Sequence, residues 1–219
     1  MPLSETPIRI RVRYSKVGNL RFVGHLDTQR LFERALRRAN LPLRYTQGFN
    51  KRIRLNLASA LPLGFISNAE VLDFWLDATM DSQEISRKLQ GALPAEIRII
   101  GLNPVSTSLP SLQASLLSSD YRICLPRDIR RENFQQKVDQ LLQEHEILVS
   151  RRNKSVDYKP LIFGHNLQTD SDSKLVWNIT LSSTPEGNAR PDDILKLLEI
   201  NPADCLIERV GLNFSTEVG

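Results

Sequence analysis

The sequence predicts an α+β chain of two tandem ferredoxin-like units, each with the order β-α-β-β-α-β. Three observations point to it. Residues 8–14 alternate without a break, with Ile8, Ile10, Val12 and Tyr14 on one face and Arg9, Arg11 and Arg13 on the other. The apolar period then lengthens to helical spacing over 25–40 and returns to two at 52–57. The same succession of patterns recurs after residue 119. A period of two marks a half-buried strand and a period near 3.6 marks a helix.

Residues 8–14 form the first strand, followed by a turn centred on Gly18. In His25–Asn40 the apolar residues Leu31, Phe32, Ala35, Leu36 and Ala39 make one helical stripe, and Leu41-Pro42 stops the helix. Ile53, Leu55 and Leu57 alternate with Arg52, Arg54 and Asn56 as a second strand of the same polarity. Pro62 and Gly64 break the chain before a third strand at Glu70–Leu76. A helix over Ser82–Leu93, capped by Asp81 or Ser82, leads to a fourth strand, Ile97–Leu102, ended by Asn103-Pro104.

The Ser- and Pro-rich stretch that follows suits a linker. The predicted division is an N-terminal basic ferredoxin-like domain over 1–103, a linker over 104–119 and a C-terminal ferredoxin-like domain over 120–219. In the second domain, strands are expected at 120–125, 147–151, 163–169, 174–182 and 205–213. Helices are expected at 130–144 and 190–198, with an irregular or short helical piece near 157–162 and one extra hairpin.

Charge divides the chain unevenly. Residues 1–60 hold thirteen Lys and Arg against three acids, a net charge of +10. The other 159 residues carry 16 basic and 22 acidic side chains, so the overall +4 conceals a strongly basic N-terminal quarter. Such asymmetry suits a polyanionic partner, because each neutralised phosphate releases a counterion. With 41% hydrophobic residues the chain can bury a real core, and no apolar run approaches the roughly 18 residues of a membrane span. No secretory signal is apparent at the N-terminus, so a cytoplasmic location is expected. Cys124 and Cys205, 81 positions apart, read as buried thiols; their spacing suits neither a metal nor a disulfide framework. The chain cannot by itself hold a cluster that needs three closely spaced cysteines.

Arg30, Arg34, Arg37 and Arg38 lie opposite the apolar stripe of the first helix. The planar guanidinium suits bidentate contact with phosphate. The alternative is a solvated face with ion pairs such as Asp27–Arg30, each contributing less than about 1 kcal/mol. On the sheet face away from the helices, Arg9, Arg11, Arg13, Arg52 and Arg54 would contact nucleic acid or lie in a seam between domains. If Asp73, Trp75 and Asp77 share that face, cross-strand Asp–Arg pairs would neutralise much of its charge. Trp75 could then stack a base or cover an arginine plane.

His25, at the helix start among arginines, could serve as general acid/base in RNA cleavage or could orient the loop by hydrogen bonds. No metal partner accompanies it, since His145 and His165 are distant in sequence. The segment Tyr45-Thr46-Gln47-Gly48-Phe49-Asn50 can bring backbone close to a ligand through its glycine, or serve as a plain connecting turn.

A longer set of residues carries a family resemblance. Tyr14-Ser15-Lys16, Gly18, Arg21-Phe22, Gly24-His25-Leu26-Asp27, Arg34-Ala35-Leu36-Arg37-Arg38-Ala39, Leu41-Pro42, Tyr45, Gln47-Gly48-Phe49-Asn50 and Leu61-Pro62-Leu63-Gly64 closely resemble the radical-SAM-linked domain family. That domain, of unknown function, is fused to or encoded beside a cobalamin-binding radical SAM protein. The match is strong over 8–80; Val156–Ile162 and Ile207-Glu208-Arg209 fit more loosely. The chain departs at Gly24, where serine is common, and at Lys51 and Ile53, where prolines usually follow the Gly-Phe-Asn loop. A less rigid loop is the expected consequence.

The resemblance implies a radical SAM partner that supplies the iron–sulfur cluster, S-adenosylmethionine and cobalamin, with no cofactor in this chain. The family's gene setting beside RNA-processing and ribosomal genes implies RNA as the substrate, by association. The reading that follows is a non-catalytic RNA-recognition domain accessory to that enzyme. Arg30, Arg34, Arg37 and Arg38 would bind phosphate, and Arg21, His25, Tyr45, Gln47, Phe49 and Asn50 would line the specific part of the site, with Arg52 and Arg54 contributing. Two alternatives remain. One is a metal-independent endoribonuclease using His25, similar in layout to the repeat-associated RNA endonucleases of CRISPR systems. The other is a protein-interaction module that docks an acidic partner.

Overall fold

The computed structural model describes residues 7–151 and 154–215. The chain is a mixed α+β protein whose strands pair mostly antiparallel, and it divides into two compact units. Among the described residues one comprises 7–116 together with Phe214 and Ser215; the other is Leu117–Asn213.

In the first unit, strand β1 (Ile8–Lys16) lies between β3 (Ile66–Leu76) and β4 (Ile97–Val105), antiparallel to both. The short β2 (Leu55–Leu57) joins β3, giving the order β4-β1-β3-β2. Helices α1 (His25–Arg38) and α2 (Ser82–Ala92) share one hydrophobic cluster with these strands. Ile10, Val12 and Tyr14 meet Phe32, Ala35 and Leu36 there, and Ile8 and Leu31 border the cluster. The strand register read from the alternation therefore holds. Tyr14 and Phe32 pack edge to face at 4.7 Å, a favourable aromatic geometry. Asp81 caps α2, its carboxylate accepting from the backbone N–H of Gln83 and Glu84.

Several element boundaries differ from the sequence reading. Strand β3 begins at Ile66, before Glu70, and β2 does not reach back to Arg52. Strand β4 continues through Asn103-Pro104 to Val105. It pairs only with β1 among the strands of this unit, and an edge strand tolerates a proline that cannot donate.

The expected linker is also structured. Residues 104–119 hold the end of β4, the one-turn helix α3 (Leu112–Ser115) and the start of β5 (Leu116–Cys124). Ser111 caps α3 by accepting from Ala114 N–H, and the Gln113 amide donates to the Leu57 carbonyl. Small polar residues, read as loop composition, here supply caps and close packing.

In the second unit β5 is followed by α4 (Arg131–Gln143), β6 (Leu148–Arg151) and β7 (Lys154–Asp157). Then come β8 (Ile162–Thr169), β9 (Leu175–Ser182), α5 (Pro191–Leu197) and β10 (Leu206–Phe214). The strand order is β10-β5-β9-β8, with β6 and β7 forming a separate antiparallel hairpin. Lys154–Asp157, given no element in the sequence reading before Asp157, is strand, and within the expected irregular piece Lys159–Leu161 makes a helical turn. At the β8–β9 turn the Asp170 carboxylate accepts from Asp172 and Lys174 N–H. Phe134 and Trp177 pack edge to face at 5.4 Å. The two cysteines are half-buried, short of the full burial expected. Among the described residues no helix is long and apolar enough to cross a membrane.

Candidate nucleic-acid interface

The basic residues of the first unit separate into two classes according to which side of the sheet they occupy. Arg9 and Arg11 project from β1 away from the helices and are each only 3% exposed. Between them Asp73, fully buried on β3, accepts from Arg9 Nε at 2.8 Å and from Arg11 Nε at 2.8 Å. Arg9 also donates to the carbonyls of Leu109 and Pro110, so the chain's own 106–111 segment lies over this guanidinium. Trp75 is buried, with Arg54 at 4.3 Å and Arg9 at 5.5 Å from its ring centre. The indole covers arginine planes and is not open to a base. Arg9 and Arg11 are thereby closed to nucleic-acid contact, because both guanidinium groups are buried and bonded to Asp73. Arg13 on the same strand is exposed.

The helix arginines differ. Arg30, Arg34, Arg37 and Arg38 are all exposed. Arg30 pairs with Asp27 at 3.1 Å, and Arg38 donates to the Ala92 carbonyl at the end of α2. The side chains of Arg34 and Arg37 make no hydrogen bond or ion pair among the described residues. Arg30, Arg34 and Arg38 line a cleft of about 780 Å³ beside the C-terminal end of α2, with Leu31 and Leu93 as apolar wall. Lys88 stands at its rim, paired with Glu84 at 2.8 Å.

The remaining expected site residues form two groups at opposite ends of α1. Strand β1 pairs Lys16 with Ser67 at one end and Ile8 with Leu76 at the other. Helix α1 starts at the first end and runs back to the second, so its 14 residues separate the groups by roughly 20 Å. Arg21 and His25 belong to the first end. Arg21 lies over the Phe22 ring at 4.7 Å, and its carbonyl accepts from Gly64 N–H at 2.8 Å.

His25, the first residue of α1, is half-buried. It borders a polar niche with Tyr14, Lys16, Thr28, Ser59 and Glu70, whose free volume of about 10 Å³ accommodates no ligand larger than water. Lys16 and Glu70, 2% and 3% exposed, are the charged residues that sequence reasoning passed over here. No local sequence signal marks them, since the pairings of Tyr14 with Glu70 and of Lys16 with Ser67 exist only in the folded register.

Tyr45, Gln47, Phe49 and Asn50 belong to the other end. Leu43 pairs with Leu76, Tyr45 with Ile53, and Thr46 N–H donates to the Arg52 carbonyl. The segment is thus a small hairpin beyond the strand end, with Gly48 at φ 123°, a conformation glycine favours. Tyr45, Gln47, Phe49, Asn50 and Arg52 are all exposed, Phe49 completely. Arg54 is exposed as well but rests on Trp75. The structure therefore does not bring Arg21 and His25 together with the 45–50 loop, although it places both beside the same helix.

These features define a mixed α+β chain with an exposed arginine face on its first helix. A family model described as "Uncharacterized protein conserved in bacteria (DUF2344)" matches residues 9–191, and this chain belongs to that family. No curated protein matches the sequence. Among solved structures the chain is similar to one in "Crystal Structure of a Cbf5-Nop10-Gar1 Complex", at 8% identity and a TM-score of 0.50 over 93% of this chain and 48% of that one. It also matches a chain in "Structure of H/ACA RNP bound to a substrate RNA containing 2'-deoxyuridine", at 7% identity and a TM-score of 0.45, covering 92% and 46%. This chain spans about half the length of each. At such identity the first likeness is one of fold alone.

Proposed function

We propose that this chain is an RNA-recognition domain, accessory to a radical SAM enzyme, that holds RNA backbone on the exposed face of α1. The observation that carries the reading is the unequal fate of the arginines. On the sheet, Arg9 and Arg11 are buried on Asp73, whereas Arg34 and Arg37 on α1 are exposed with no partner among the described residues. Guanidinium groups in that state favour phosphate, whose contact displaces condensed counterions. The order β4-β1-β3-β2 and its counterpart β10-β5-β9-β8 support reading each unit as ferredoxin-like, the second with the β6–β7 hairpin inserted.

The iron–sulfur cluster, S-adenosylmethionine and cobalamin belong, on this proposal, to the partner, and this chain's residues bind and orient the substrate in the cytoplasm. Binding of an unstructured RNA, measured against salt, tests the reading. The Arg34→Ala/Arg37→Ala variant should bind more weakly across unrelated sequences and flatten the log–log salt slope by about 0.7 per lost contact. An unchanged affinity and slope in the double variant would exclude the α1 face as the RNA site.

A further inference from the structure

We infer that the RNA this chain takes is single-stranded, with a base stacked on an apolar platform of Phe22, Leu26 and Leu63 at the start of α1. The inference rests on the RNA reading above and specifies its substrate class.

The platform is an independent observation. Phe22, Leu26 and Leu63 are 62%, 66% and 63% exposed, in a chain with only 6% aromatic residues. They gather at one end of α1: Phe22 closes the 3-10 turn before the helix, and Leu26 lies in its first turn. The hydrogen bond from Gly64 N–H to the Arg21 carbonyl brings the Leu63 turn alongside. The Arg21 guanidinium lies over the Phe22 ring at 4.7 Å, and Phe22 is exposed nonetheless. Exposed large apolar side chains grouped in this way mark a contact surface.

Its position indicates what makes the contact. Leu26, Arg30 and Arg34 follow one another at i, i+4 spacing, so the platform continues into the arginine stripe on one helix face. Asp27, the acid next to Leu26 in sequence, is held by Arg30. A single strand can lay its phosphates along Arg30, Arg34 and Arg37 while turning a base onto Phe22. Such stacking tolerates any base because every base has a π face. A duplex keeps its bases inside the stack and offers the platform only sugar and phosphate, and the deep, narrow major groove of A-form RNA does not admit side chains. An acidic protein segment could use the cations, and it appears below as an outcome of the test.

The experiment compares a single-stranded oligouridine of about twelve nucleotides with a duplex of equal length, using the full chain and its Phe22→Ala, Phe22→Trp and Leu26→Ala variants. The single strand should bind at least tenfold tighter than the duplex. Phe22→Ala should lose about tenfold or more on the single strand, with little change on the duplex, and Phe22→Trp should retain binding. Because Phe22 and Leu26 lie outside the core cluster, unchanged thermal unfolding separates lost stacking from lost fold. Equal affinity for both forms, with Phe22→Ala neutral and the salt slope still set by Arg34 and Arg37, would overturn the inference and leave the RNA reading standing. Absence of RNA binding by the parent would overturn both and direct attention to a protein partner.

Discussion

Asp73 sits between two guanidinium groups with no access to solvent, and it is the residue on which the sheet face of the first unit depends. Its two oxygens accept from Arg9 at 2.8 Å and from Arg11 at 2.8 and 3.0 Å. Removing the charge leaves two buried cations uncompensated, whereas replacing a buried ion cluster by apolar groups is often close to neutral. Asp73→Asn should therefore cost about 3–5 kcal/mol, read by urea unfolding, far more than loss of an exposed pair such as Asp27–Arg30. A cost below about 1 kcal/mol would show that the arginines find other compensation. His25 offers a second test at this scale. It adjoins a niche too small for a phosphate, which favours an orienting role. The parent protein with chelator should leave RNA intact, and His25→Ala should weaken binding by about 1–2 kcal/mol, as for one lost hydrogen-bonding group. Metal-independent cleavage by the parent, abolished in the variant, would make His25 a general acid or base instead.

Individual elements show what was legible in the sequence. The alternation over 8–14 fixed both the strand and its faces, because a slip of one residue would have exchanged Ile10 and Val12 with Arg11 and Arg13. The stripe Phe32, Ala35, Leu36 placed α1 on the core in the same way. Burial of Arg9 could not be read locally: its further acceptors are the Leu109 and Pro110 carbonyls, about 100 residues away in a stretch without periodicity. The division of the site between the two ends of α1 was hidden too, since motif residues adjacent in sequence say nothing of which strand end they occupy. Strand β7 was missed because Lys154-Ser155-Val156-Asp157 holds a single apolar residue, too few for an alternation to show. The hairpin it forms with β6 leads to Tyr158, whose hydroxyl donates to Asp193 at 2.8 Å and is pushed up to about 12 by burial first, then by that carboxylate. Folding thus favours the protonated phenol. The contribution is complete below about pH 10, where the unfolded phenol titrates, and is lost as pH rises toward 12. Denaturant unfolding should show stability falling over that window, with the fall smaller in Tyr158→Phe. An identical decline in the variant would assign it to other groups.

Across the whole molecule, the N-terminal excess of +10 is not a uniform cationic surface. Two of its arginines are buried inside the first unit and share the one carboxylate of Asp73, and Arg54 is stacked on an indole. Long-range attraction for a polyanion depends on total charge and is screened beyond a Debye length of about 8 Å at physiological salt. A binding site depends on which charges touch phosphate. The two are separable by removing equal charge in different places. Arg98 and Arg127 are exposed and are not part of α1, so Arg98→Ala/Arg127→Ala lowers the net charge by as much as Arg34→Ala/Arg37→Ala. The pair outside α1 should slow RNA association slightly at low salt and leave the salt slope of the equilibrium constant unchanged. The helix pair should reduce that slope by about 1.4, the sum of two contacts at roughly 0.7 each on a single strand. Equal effects from the two pairs, measured by titration at several salt concentrations, would mean that RNA responds only to net charge and that α1 is no particular site.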